Sequence, residues 1–367
     1  MTSKERMLTA LAGGVPDRLP ITIHQWQEYH LATYMGGVDE LTAARQIGLD
    51  AAVTPRDIRR EIPSPHWVER AEPAGTENGM TLTRHTFTTP DGDLTLLAGR
   101  NEYTEFVMEH LIKDQRDAEI FLRHAPRYRL DLPRLTAWYD RTGDSGIVRG
   151  SVTSFFQPGT WQSFCELVGT EQAIYWSVDD PAFVHAFLEA LTQRAIEWVE
   201  REWADAKFDL VEHGGGAASA NVISPAMFDT FCLPYDRRVI AALHAAGHKV
   251  VYHTCGWMMP LLERIPENGC DASETLSPPG VGGDIATELD RQRVKRTLGR
   301  RVALIGGIDQ AKFEQPGHAA EITADVRACF RDFGAGGGYI CSASDHFFHA
   351  DPENLRTLVQ TARECTY

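Results

Sequence analysis

The sequence predicts an α/β fold of the (β/α)8 TIM-type barrel class, with a β-hairpin inserted after the second strand. Two observations predict it. Eight short β-rich runs alternate with longer stretches whose apolar residues recur at helical spacing, and strands alternating with helices build parallel βαβ units. A doubly wound open sheet is the competing architecture, but no strand-linked GxGxxG fingerprint is present.

Taken in order, Leu19–His24 and Asp50–Pro55 are the first two strands. The hairpin is expected at about 80–112. There the β-formers Thr81, Thr83, Thr86, Phe87, Thr88 and Thr89 and the run Leu94–Leu97 flank the turn Pro90-Asp91-Gly92. The barrel resumes with Gly146–Val152. In Pro181–Ala204, Phe183, Phe187, Leu191 and Ile196 recur at about one turn, which reads as a helix. Phe208–His213 is the fourth strand. Ser224–Ala246 follows as a helix, with Ser224 as N-cap and Pro225 at the first helical position. Lys249–Thr254 and Asp271–Leu276 are the next strands, and a helix over Asp284–Leu298 is closed by Gly299. Val302–Gly307 and Gly338–Ala343 complete the eight. With no internal repeat and no low-complexity linker, residues 1–367 are expected to form one barrel carrying one insertion.

Composition narrows the function. The 367 residues include 36 Lys and Arg against 51 Asp and Glu, a formal net charge of −15. Nucleic acid and anionic membranes both require a basic surface, so neither is an expected partner. No window approaches the length of a membrane span. Lys4, Glu5, Arg6, Asp17 and Arg18 interrupt any signal-peptide core. Seven scattered cysteines do not form a disulfide framework. A cytoplasmic protein with reduced thiols is expected.

Functional groups of such a barrel gather where its strands end. His24 ends the first strand, Glu212 and His213 the fourth, His253 and Cys255 the fifth and Glu274 the sixth. Cys341, Asp345 and His346 end the last. In His253-Thr254-Cys255-Gly256 the imidazole and thiol are two residues apart, so on an extended strand both reach one side. Nitrogen and sulfur donors together suit Zn²⁺, which in a catalytic site takes about three protein ligands. Cys341 is the natural third ligand; Asp345 and His346 compete with it, and with Glu212 and His213 they are the candidate catalytic residues that would handle protons. Glu212 and His213, before Gly214-Gly215-Gly216, can supply an acid/base pair. His24, Trp26, Trp257 and Glu274 are the candidate substrate contacts. The remaining cysteines, Cys165, Cys232, Cys270, Cys329 and Cys365, are expected to pack. No GxSxG elbow, P-loop, CxxC pair or corrinoid-binding Asp-x-His-x-x-Gly is present.

Marks along the whole chain resemble the uroporphyrinogen decarboxylase superfamily. They are Glu5-Arg6, Ala10-Leu11, Gly14, Pro16-Asp17-Arg18 and Pro20, then Pro225, Phe228 and Pro234 ahead of His253-x-Cys255-Gly256. Lys295-Arg296, Gly299, Arg301, Gly306-Gly307-Ile308-Asp309, Gly336-Gly337-Gly338-Tyr339-Ile340 and Pro352-Glu353-Asn354 continue the series. The resemblance implies a (β/α)8 barrel with its active site at the C-terminal mouth. The family's decarboxylases carry an arginine-rich segment after the first strand. Here that place reads Ile23-His24-Gln25-Trp26-Gln27-Glu28-Tyr29-His30, with no arginine.

The other branch, which this chain is closer to, is the zinc-dependent, cobalamin-linked methyltransferases. Their zinc motif is His-x-Cys with a distant Cys; His253 and Cys255 match it, and the distant position falls opposite Asp345. The implied activity is methyl transfer between a small methylated or methoxylated substrate, or a thiol or folate acceptor, and methylcobalamin carried by a separate corrinoid protein. The expected partners are that protein and a small-molecule methyl donor or acceptor, and homodimerisation is compatible with both. Two other readings stay open: a metal-free decarboxylase or lyase acting on a small carboxylated or aromatic substrate, and a barrel that only binds a ligand.

Overall fold

The computed structural model describes residues 1–152 and 157–367. Eight parallel strands form the barrel: β1 (Ile21–Thr22), β2 (Ala51–Val53), β3 (Gly146–Ser151), β4 (Leu210–Gly214), β5 (Val250–His253), β6 (Ala272–Thr275), β7 (Ala303–Ile308) and β8 (Tyr339–Ala343). Each pairs with its sequence neighbour from β2 through to β8, and β8 pairs back onto β1. This is the TIM-barrel architecture that the alternating runs predict.

Strand alternation sorts the side chains. Ile147, Leu210, Val251, Ala272, Ala303, Ile305 and Ile340 face inward near the strand starts and pack with Met7, Ala10 and Leu11 of the helix Ser3–Leu11. That helix therefore plugs the N-terminal end of the barrel. Their neighbours Val148, Val211, Tyr252, Leu304 and Tyr339 face outward into the main core under the surrounding helices. The polar positions left on the inner face lie further along the strands, so the chemistry collects at one end.

The β1–β2 seam is made differently. It has one backbone bond, Asp50 N–H to Ile21 O at 2.8 Å. The buried Asp50 carboxylate does the rest, accepting from Ile21 N–H at 3.0 Å, Arg6 Nη1 at 2.7 Å and Arg18 Nη2 at 3.0 Å. Arg6 also donates to Asp17. Four residues that carry the family resemblance or start the second strand thus tie the barrel shut. Asp50→Ala leaves Arg6 buried without this carboxylate and frees the seam, so we expect a loss of about 3–5 kcal/mol, read as a lower midpoint in urea unfolding. An unchanged midpoint would refute this role for Asp50.

Two helices depart from expectation. The stretch Ser224–Ala246 starts as foreseen, with Ser224 Oγ accepting from Met227 N–H at 3.2 Å. It then widens into a π-turn over Phe228–Cys232 before the α-helix Leu233–Ala245. Pro234 has no N–H for the carbonyl of Thr230, so an unbroken α-helix cannot run through it. The helix expected over Asp284–Leu298 begins at Glu288, where Thr287 and Asp290 form a capping box. Asp284 instead accepts from the backbone N–H groups of Met258 and Met259.

The insertion between β2 and β3 is larger than a hairpin. Strands Met80–Thr89 and Gly92–Arg100 pair antiparallel, and Val68–Glu77 and Glu105–Glu109 flank them in a four-stranded sheet. Arg59–Ile62 and Arg127–Leu130 form a ribbon beside it. Val68–Glu77 is exposed throughout and shows no apolar alternation, and an edge strand can hold Pro73; hydrophobic patterning has nothing to detect there. Among the described residues, no helix is long and apolar enough to cross a membrane.

Candidate active site at the barrel mouth

The ends of β1, β2, β3, β4, β5 and β8 surround a cavity of about 490 Å³. His24, Glu212, His253, Cys255, Asp345 and His346 all line it, together with Thr54, Ser151, Gln157 and the glutamines Gln25 and Gln27. Thr104, from the turn between the last two strands of the inserted sheet, reaches the same cavity. Tyr103 beside it packs on Tyr29, Phe348 and His349.

Under the cavity lies Arg149, on the inward face of β3 and 3% exposed. Its Nη2 donates to Glu212 Oε2 at 2.9 Å and to Glu274 Oε1 and Oε2 at 2.8 and 2.9 Å. Burial alone would raise the Glu274 pKa, but the charges of Arg149 and His24 hold the carboxyl well below the usual range. Glu274 is thus an anion in the floor. It faces His253 Nδ1 at 3.2 Å and His24 Nδ1 at 3.7 Å. Just past it, Thr275 and Leu276 take positive φ of 82° and 50°. For a β-branched residue that conformation is strained. It is held by the Thr275 hydroxyl donating to Thr254 O at 2.9 Å, which fixes the end of β6 against the segment carrying Cys255.

Ligand atoms of His253, Cys255 and Asp345 lie within 4.8 Å of one another. Imidazole, thiol and carboxylate donors fit Zn²⁺. With Glu274 accepting Nδ1–H, the Nε2 lone pair of His253 is free for a metal, the carboxylate–histidine support common at zinc sites. Gly216 leaves room for the thiol, since a Cβ there would come within 2.7 Å of Cys255 Sγ.

A second group, His24, Glu212, His253 and Glu274, is equally compact. Arg149 already supplies its cation, so the Cys255 side is the better place for a metal. The electrostatics agree. Burial disfavours the His253 imidazolium, yet the Cys255 and Glu274 hydrogen bonds and the Cys255 and Glu212 charges push its pKa well up. The same surroundings would attract a metal cation. Burial raises the Asp345 pKa, but the His346 hydrogen bond and the His24 and His253 charges more than offset it and keep Asp345 ionised. His346 Nδ1 stands 2.8 Å from Asp345 Oδ1, and this bond raises the His346 pKa.

Four expected site residues lie elsewhere. Cys341 has the opposite parity to the inward Ile340 on β8 and is buried on the outer side near Tyr339, Cys329 and Cys365, where burial pushes its thiol pKa well up; its thiol does not join His253 and Cys255, and the group that does is the Asp345 carboxylate. His213 also points outward, with Nε2 2.9 Å from Asp236 Oδ1, while Tyr252 Oη donates to Asp236 Oδ2 at 2.7 Å. It is a core histidine, and only Glu212 of that pair faces the cavity. Trp26 is buried edge-on against Phe347 in the core. Trp257 is 48% exposed, outside the cavity lining, with its backbone N–H bound to Asn221. Glu274 lies in the floor beneath the lining. Arg149 was missed, although a lone charge within Gly146-Ile147-Val148-Arg149-Gly150-Ser151 is the signal that could have found it.

A family model described as Uroporphyrinogen decarboxylase (URO-D) matches residues 152–365. A Methanosarcina mazei protein named methylated-thiol–coenzyme M methyltransferase is 23% identical over 198 residues, covering 54% of this chain and 49% of that protein. The chain therefore spans about half the length of that curated relative. A solved structure titled methyltransferase from Methanosarcina mazei covers 99% of both chains with a TM-score of 0.63 at 15% identity, a likeness of fold.

Proposed function

Starting from the chain's membership of the uroporphyrinogen decarboxylase (URO-D) family, we propose that it is a zinc-dependent methyltransferase working with a separate corrinoid protein. The observation that carries this reading is the convergence of His253, Cys255 and Asp345 at the barrel mouth. Support also comes from the relative named for methyl transfer to coenzyme M. His253 Nε2, Cys255 Sγ and an Asp345 oxygen would hold the ion. Bound zinc supplies a Lewis acid that polarises a methoxyl oxygen or activates a thiol, and the partner's cobalt centre supplies the methyl-carrying chemistry.

The chain's own groups do the rest. Glu274 accepts a hydrogen bond from His253 Nδ1–H and fixes the ring. Arg149 pairs with Glu212 and Glu274 under the cavity and keeps Glu274 ionised. His346, paired with Asp345, is placed to give or take the proton that a departing or arriving oxygen or sulfur needs. The open mouth leaves room for a partner protein to dock.

The test is methyl transfer from candidate methyl ethers and thioethers to free cob(I)alamin, followed by its visible spectrum, with and without exhaustive chelation. Chelator-sensitive methylation is expected. Chelator-insensitive turnover that releases CO2 instead would replace this reading with a metal-free decarboxylase or lyase.

A further inference from the structure

We propose that the mouth cavity is selective for an uncharged, hydrogen-bonding substrate and excludes anionic ones such as sulfonates, carboxylates and folates. The inference rests on the methyl-transfer reading only for the substrate's reactive methyl group; the charge selectivity rests on the cavity itself.

Among the described residues, no Lys or Arg lines the cavity. Arg149 lies beneath it, with Nη2 paired to Glu212 and Glu274, both within 2.9 Å, and with Nε buried and without a partner. His24 and His253 line the cavity as well, and both face Glu274, at 3.7 and 3.2 Å. Asp345 adds another carboxylate at the mouth, already matched by His346 at 2.8 Å. An entering anion would give up its water to meet the oxygens of Glu212 and Asp345, with each lining imidazole already set against a carboxylate, and such a like-charge juxtaposition suppresses binding.

A cation fares little better. Both carboxylates facing the cavity already have partners, Glu212 in Arg149 and Asp345 in His346. What the cavity does offer is neutral. The side-chain amides of Gln25, Gln27 and Gln157 and the hydroxyls of Thr54 and Ser151 line it, and no hydrogen bond within the described chain engages them. Each amide both donates and accepts, and a hydroxyl does the same. A hydroxylated or amide-bearing small molecule can satisfy them, whereas a purely apolar one would leave them dry and unpaired.

The test uses three probes that share a methylthioethyl group: 2-(methylthio)ethanol, 2-(methylthio)ethanesulfonate and 2-(methylthio)ethyltrimethylammonium. Each is titrated by calorimetry into the zinc-loaded full chain and into the metal-free chain. The alcohol is expected to bind at least about tenfold more tightly than either ion in both forms. Gln27→Arg, and independently Gln25→Arg should the first fold poorly, should raise the sulfonate-to-alcohol affinity ratio by about tenfold. A wild-type protein that binds the sulfonate as well as the alcohol overturns the proposal. So does one that prefers the ammonium ion, or one that binds none of the three. Because binding is read without cobalamin or turnover, failure of methyl transfer with the selectivity intact would defeat only the catalytic reading.

Discussion

Cys255→Ala is expected to empty the mouth of zinc and abolish methyl transfer together. Thiolate is the strongest metal donor of the three groups that converge there, and its loss leaves one imidazole and one carboxylate, short of the three protein ligands a catalytic zinc needs. Elemental analysis of purified protein should give one zinc per chain in the wild type and a small fraction of that in the variant. Cys341→Ala is the matched control. Its thiol is buried outside the barrel lining, so zinc content and turnover should stay at the wild-type level. A Cys255→Ala protein with full zinc and full activity would remove the metal from this site altogether. Glu274→Gln should act more gently, weakening metal affinity by about 10- to 100-fold through the orientation of His253.

Arg149→Met is expected to be among the most destabilising substitutions in the chain. The guanidinium is the countercharge for two inward-facing carboxylates, one of them 1% exposed. Taking away one partner of a buried ion pair strands the other, a loss of about 3–5 kcal/mol. If that is the cause, the damage is electrostatic and can be relieved. Arg149→Met combined with Glu274→Gln should be more stable than Arg149→Met alone, even though it carries one more change. Equal or greater loss in the double variant would mean that Arg149 matters for its packing and not for its charge.

Those two residues also mark the limit of what the sequence discloses. The barrel strands are legible because each is a short apolar run between helices, and Ile147, Leu210, Val251 and Ile340 announce themselves by burial alone. His253 and Cys255 are legible because spacing along a strand fixes their common side. Asp345 and Cys341 are both near the end of β8, and only the parity of that strand decides between them: with Ile340 inward, Cys341 must face out. The same parity separates Glu212 from His213. Arg149 pairs with groups 63 and 125 positions away, and no local pattern encodes a partner at that separation. The tie among Arg6, Arg18 and Asp50 is hidden for the same reason. As sequence it resembles a family signature, and only the fold turns it into a clasp.

That clasp gives the barrel a preferred place to breathe. Seven of its eight junctions are continuous ladders, whereas β1 and β2 are joined by a side chain and one main-chain bond. Opening is cheapest where cooperative bonding is thinnest, so amide exchange near Ile21 and Asp50 should run ahead of exchange in the β4–β5 ladder. The segment that leaves β1 carries His24, Gln25 and Gln27 into the cavity. A transient parting at this joint would therefore loosen one wall of the cavity while the opposite wall, on β5 and β8, stays in place, giving a substrate a way in that leaves His253, Cys255 and Asp345 undisturbed.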